Sequence, residues 1–141
     1  MPIIGLKFDS IEGKRKKENF SGEMKINTAP KIVSAKEIDV KAIGKKAMAL
    51  GFEFSTQYNP DLAEVKINGE VIYVNEKQQA EILKGWKKDK KLPDDVGIEV
   101  LNHLFRHCLI KVAMIAEDLQ LPPPLNFPVV KPKSEQANYI G

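Results

Sequence analysis

The sequence predicts an α+β fold. The N-terminal half forms a mainly antiparallel sheet of long strands, and a short and a long helix follow it. Three observations carry this. Leu50, Phe52, Phe54, Thr56 and Tyr58 alternate with Gly51, Glu53, Ser55 and Gln57, the period of a half-buried strand. Val65, Ile67, Val71 and Tyr73 repeat the same period a short turn later. Beyond residue 75 the spacing of apolar residues changes to three and four, which is helical.

The first strand is read from Ile4, Leu6 and Phe8, which alternate with Gly5, Lys7 and Asp9. A charged turn follows at 13–19, read as a hairpin tip, before Met24 and Ile26 resume the alternation. Pro30 marks an edge, bulge or bend. Residues 31–48 fit either period: Ile38, Val40 and Ala42 suit a strand, and Ala35, Ile38 and Ala42 a helix face. The strand reading is preferred. Asn59-Pro60-Asp61 is a turn. Asn68-Gly69 is usually a hairpin signal, but a two-residue turn there would set Lys66 opposite Val71 and Ile67 opposite Glu70. One continuous strand with a kink or bulge at Gly69 keeps the apolar residues on one face.

Asn75 and Gln78 have capping-box spacing, and Ala80, Ile82, Leu83 and Trp86 then share one side of a short helix ending in the lysine-rich run 87–91. Asp94-Asp95 are read as the cap and favourable charge at the start of a helix running to about Leu119. Its apolar residues exceed a single stripe, and Glu99, His103, His107 and Lys111 form its continuous polar line. Two sides of it therefore need cover. Five of the nine prolines lie between 122 and 132. The segment Leu121-Pro-Pro-Pro-Leu-Asn-Phe-Pro-Val-Val is extended and too apolar for a free linker. The expected organisation is one domain over 1–132, ending in this tail, and a flexible C-terminus over 133–141.

The 141 residues are 43% apolar and 29% charged, which suits neither a disordered nor a fibrous chain. The single cysteine excludes an internal disulfide framework. No apolar run is long enough to span a bilayer, and the first residues lack the pattern of a secretion signal, so the expectation is a cytoplasmic protein without membrane insertion. Charge is uneven: residues 1–48 carry eleven Lys or Arg against six Asp or Glu, and residues 49–119 nine against twelve. With twenty Lys and two Arg, the chain lacks the guanidinium forks that read base edges.

Chemistry is sparse. There is no Gly-rich phosphate loop and no nucleophile elbow. Glu99, His103 and His107 could set three ligands on one helix face, but the plainer reading is a polar stripe, and no metal or other cofactor is expected. Cys108 turns toward the apolar side and reads as a buried small hydrophobe. Nothing argues for an enzyme. Lys14, Arg15, Lys16 and Lys17 read first as a solvated tip and second as a grip on phosphates, which would make the protein RNA- or ribosome-associated. Steep loss of binding with salt would mark that alternative.

The element order, the segment Ile67-Asn68-Gly69-Glu70-Val71-Ile72-Tyr73, Trp86 and the stretch Leu121-Pro-Pro-Pro-Leu-Asn-Phe-Pro together resemble the SecB-type protein-export chaperones and their archaeal relatives. The resemblance covers roughly residues 1–130 and is most specific in the Pro-rich stretch. It implies a four-stranded (or larger) antiparallel sheet with helices on one face, assembly into a dimer of dimers, and ATP-independent holding of unfolded polypeptides in apolar grooves; the expected partners are unfolded client polypeptides and further copies of the chain, in a dimer or tetramer. Bacterial export members are strongly acidic, whereas this chain carries a net charge of +3, so a stand-alone chaperone is expected rather than one docked on the export motor. Apolar contacts would grip extended clients and edge strands would add backbone hydrogen bonds. On apolar character and placement, the candidate peptide-binding residues are Phe52, Phe54, Tyr58, Tyr73, Trp86, Leu121, Leu125 and Phe127.

Overall fold

The computed structural model describes residues 3–19 and 22–125. Phe127, the rest of the tail and the C-terminus over 133–141 lie outside the described residues. Four strands run in order along the chain: β1 (Ile3–Arg15), β2 (Lys25–Val40), β3 (Lys45–Asn59) and β4 (Ala63–Tyr73). Helices α1 (Gln79–Asp89) and α2 (Asp94–Asp118) follow. The strands make one antiparallel sheet in the order β1-β4-β3-β2, and both helices pack on the same face.

The two central strands carry the alternation that the sequence displays. Along β4 every second residue from Ala63 to Tyr73 is buried and every residue between them is half-buried. On β3 the inner face is Met48, Leu50, Phe52, Phe54, Thr56 and Tyr58, all buried. The only polar member, Thr56, lies opposite Thr28 with their hydroxyl oxygens 3.1 Å apart, so its burial costs no hydrogen bond. The outer face carries Lys7, Asp9, Lys36, Glu53, Glu64, Lys66 and Glu70, which form exposed or half-exposed ion pairs of small individual worth.

Four sequence readings are corrected. The charged run at 13–19 is not a hairpin tip: β1 continues to Arg15, and the next strand, β2, does not pair with it but lies at the opposite edge of the sheet. The irregularity near Gly69 belongs to β1, where the register shifts between Phe8 and Ser10, while β4 runs straight. Gly69 is required because a Cβ there would collide with the Lys7 carbonyl oxygen on the neighbouring strand. Asp94 and Asp95 do not cap α2; Pro93 occupies that position without a side-chain bond, and the two carboxylates only complement the helix dipole from the first turn. In the short helix, Asn75 Oδ1 accepts from the Gln78 N–H (3.2 Å), but it is Gln79 whose side chain reaches back to the Asn75 N–H, weakly, at 3.5 Å.

The core is set by α2. Its buried residues are Val96, Val100, Leu104, Cys108, Val112 and Ala116, a strict repeat of four. They meet the inner faces of β3 and β4, with Phe105 edge-on to Phe54 at 5.7 Å and Phe8 edge-on to Phe52 at 6.4 Å. At the far end of α2, Ile115 and Leu119 lie over Gly13 of β1, where a Cβ would come within 2.5 Å of Ile115.

Gly69→Ala is expected to destabilise the fold by roughly 1–3 kcal/mol through overpacking against β1. Gly85→Ala, where nothing lies within 4 Å of the added atom, should be neutral or stabilising by up to about 1 kcal/mol. Urea denaturation of both variants checks the contrast.

Candidate functional site: the apolar flank of the long helix

Helix α2 sorts into four rows at spacing four. The first is the buried row. On the β1 side runs the polar line foreseen from the sequence, Glu99, His103, His107 and Lys111, which turns apolar at Ile115 and Leu119. On the β2 side runs Gly97, Leu101, Phe105, Leu109 and Ala113, all half-buried. The outward row is Ile98, Asn102, Arg106, Ile110, Met114 and Asp118. In it Ile98, Met114 and Ile110 are 62%, 59% and 57% exposed. The excess of apolar residues read from the sequence is therefore real in space, and it faces outward and toward β2.

An open apolar recess lies at each end of this surface. Near the C-terminal end of α2, a recess of about 500 Å³ is lined by Ile110, Ala113, Met114, Glu117, Leu121, Pro123 and Leu125. Near the N-terminal end, one of about 510 Å³ is lined by Pro30 and Ile32 of β2, by Trp86 and the residues that follow α1, and by Gly97, Ile98 and Leu101.

The aromatic groove expected from the sequence is not open. Phe52, Phe54, Tyr58 and Tyr73 are buried beneath the helices. Alternation correctly showed that the first three share a face, but that face is covered by α2. Tyr58 is moreover engaged, donating its hydroxyl to the Pro122 carbonyl oxygen at 2.6 Å, which ties the Pro-rich segment to the sheet. Burial pushes its pKa up. Trp86 and Leu121 are largely buried but each lines a recess, and half-buried Leu125 lines the C-terminal one. The residues that sequence reasoning passed over are Ile98, Leu101, Ile110 and Met114. Their signal was the apolar excess on the long helix, without a way to tell which part of it the sheet covers.

The basic run is mostly consumed by the fold. Arg15 donates to the carbonyl oxygens of Leu119 (3.0 Å) and Gln120 (3.1 Å) at the end of α2, and also to those of Lys17 and Glu18. Lys16 pairs with Asp61 at 2.7 Å, which raises the lysine pKa and lowers the carboxyl's. Lys14 and Lys17 are exposed. Lys14 and Lys16 share a small polar recess with Glu12, Glu64 and Lys66, so the positive charge there is diluted by carboxylates.

His103 and His107 have ring centroids 4.3 Å apart. Among the described residues no group of three or more His, Cys, Asp or Glu is placed to hold a metal. Burial, with the neighbouring His107 and Arg106, lowers the His103 pKa, and Glu99 opposes this. Cys108 lies fully buried in the core, and burial pushes its thiol up to about 12. Among the described residues no helix is long and apolar enough to cross a membrane.

Two outcomes follow. The Cys108 thiol should resist aromatic disulfide reagents at pH 8 in the native protein and react fully in denaturant. The fold lowers the His103 pKa, so the unfolded chain binds the proton more readily. Stability should therefore be complete above the ordinary histidine pKa of 6.5 and fall as pH drops below it. Urea denaturation at pH 7.5 and pH 5.5 should show this loss, and His103→Gln should reduce it.

Comparison of the chain with protein-family models, with curated proteins and with solved structures finds no match.

Proposed function

We propose that this protein holds unfolded or extended polypeptides without using ATP, in the manner of the SecB-type chaperones that its sequence resembles. The observation that supports the reading is the unpartnered apolar surface of α2. Exposed Ile98, Ile110 and Met114 adjoin the half-buried flank Leu101, Phe105 and Leu109, with a recess at either end. Contiguous exposed apolar surface marks a place where another chain docks. Burying one such side chain is worth roughly 1.5–3 kcal/mol before the costs of association, so a few of them give a reversible grip. The same surface serves assembly into dimers or tetramers if part of it is shared between copies. The phosphate-binding alternative is less favoured because Arg15 and Lys16 are engaged within the fold.

The protein in slight molar excess should suppress light scattering by a chemically denatured test enzyme, with little change between 50 and 500 mM salt. The exposed double substitution Ile110→Asp/Met114→Asp should leave the melting temperature near wild type and weaken suppression several-fold. Absence of suppression by the wild-type protein, or RNA binding that collapses over the same salt range, defeats the reading.

A further inference from the structure

The recess at the N-terminal end of α2 has chemistry that the rest of the apolar surface lacks. Gly97 is among the residues that line it, in the first turn of a helix, where glycine is less favourable than alanine by about 1 kcal/mol. Gly13 and Gly69 are explained by neighbours that a Cβ would strike, whereas no atom lies within 4 Å of a Cβ at Gly97 or Gly85, and of these two helical glycines only Gly97 lines the recess. Internal packing therefore does not demand a glycine there, and its absence of side chain leaves a floor that an incoming chain can approach closely. Trp86 and Leu101 supply apolar walls, and Pro30 and Ile32 of the edge strand supply the opposite bank.

The rim is charged. Lys90 and Lys91 line it, and among the described residues neither has an ion-pair partner. Lys90 adopts a left-handed conformation (φ 56°) at the end of α1, a position glycine fills more readily. Asp94 is the one carboxylate lining the recess. The recess at the other end of α2 has the opposite character, with Glu117 as its charged lining residue.

We infer that the Trp86–Gly97 recess takes an extended polypeptide segment in which a large apolar side chain stands next to a carboxylate. The apolar side chain lies over Gly97 against Trp86 and Leu101, and the carboxylate meets Lys90 and Lys91. This rests on the holding function proposed above and names the class of segment selected at that end of the surface.

Trp86 is the only tryptophan, so its fluorescence reports occupancy directly. Two end-capped peptides of nine residues are titrated into the full chain, each with a Leu-Phe-Leu centre, one flanked by aspartates and the other by lysines. The acidic peptide should bind about fivefold more tightly, the worth of a partly screened charge contact. Lys90→Gln/Lys91→Gln should remove the preference while keeping the apolar binding. Gly97→Leu should keep or raise the melting temperature and weaken both peptides more than about tenfold. Gly85→Leu, a like substitution away from the recess, should leave both affinities unchanged. Equal affinities, or preference for the lysine peptide, overturn the inference. Undiminished binding by Gly97→Leu overturns it too. A Gly97→Leu protein that sediments as a smaller species identifies a second copy as the occupant and also overturns it. Suppression of aggregation that survives any of these failures shows that the holding function stands without the acidic preference.

Discussion

The fold depends on one geometric constraint, the contact of a 25-residue helix with a twisted sheet through a row of residues spaced by four. An α-helix repeats every 3.6 residues, so a row at spacing four drifts by about 40° at each step. From Val96 to Ala116 the row winds through about 200° around the helix axis. No flat surface could stay beneath it, and strand twist follows only part of the turn; at the far end Ala116 is enclosed by Leu121 of the following segment together with Tyr58, Leu62 and Ala63. The drift also fixes what the flanks become. On the β1 side the row is polar at Glu99, His103, His107 and Lys111, then apolar at Ile115 and Leu119 where it comes down on Gly13. On the β2 side the row stays apolar throughout, although the edge strand covers it only in part.

The constraint holds only if the end of α2 is fixed, and several independent contacts converge there. The Leu121 N–H donates back to Ala116 and the Gln120 N–H to Glu117, with Gln120 left-handed, so the last turn is closed by its own backbone. Arg15 satisfies carbonyls that such an end leaves free and brings positive charge to the negative pole of the helix. Tyr58 then holds Pro122. Leu121 joins Tyr58, Leu62, Ala63 and Ala116 in a second small apolar cluster. The run that looked in sequence like a cationic tip thus contributes its one guanidinium to architecture.

What the sequence disclosed followed from local period. The alternation over 50–58 identified the inner face of β3 because a strand sends successive side chains to opposite sides. Choosing one strand over a hairpin at Asn68-Gly69 succeeded because a one-residue error in register would have set charge against apolar residues. What local period cannot show is the identity of the covering layer. Phe52, Phe54 and Tyr58 looked like candidates for a groove, yet the same apolar character that suggested binding is what draws α2 over them. The bulge was misassigned for a similar reason: Gly69 accommodates an irregularity that lies across the ladder in β1, and nothing in its own neighbourhood reveals it. The tie of Arg15 to the end of α2 was illegible because those partners, Leu119 and Gln120, are more than a hundred residues away.

The edge strand beside the apolar flank also bears on how a bound chain would be held. An exposed strand edge ordinarily invites another strand to pair with it, which leads to aggregation as readily as to binding. Along β2 that route is obstructed. Pro30 offers no N–H, and the register shift between Ile32 and Ser34 breaks the spacing of the backbone groups. The edge-strand hydrogen bonds anticipated from the sequence are therefore poorly supplied where the recess opens. A segment lying between α2 and β2 would be held mainly by its side chains. Contacts of that kind tolerate many sequences and release quickly, because no ladder of backbone bonds must be broken together. That combination suits the holding role proposed above, and the same two features hinder the pairing of further strands along β2.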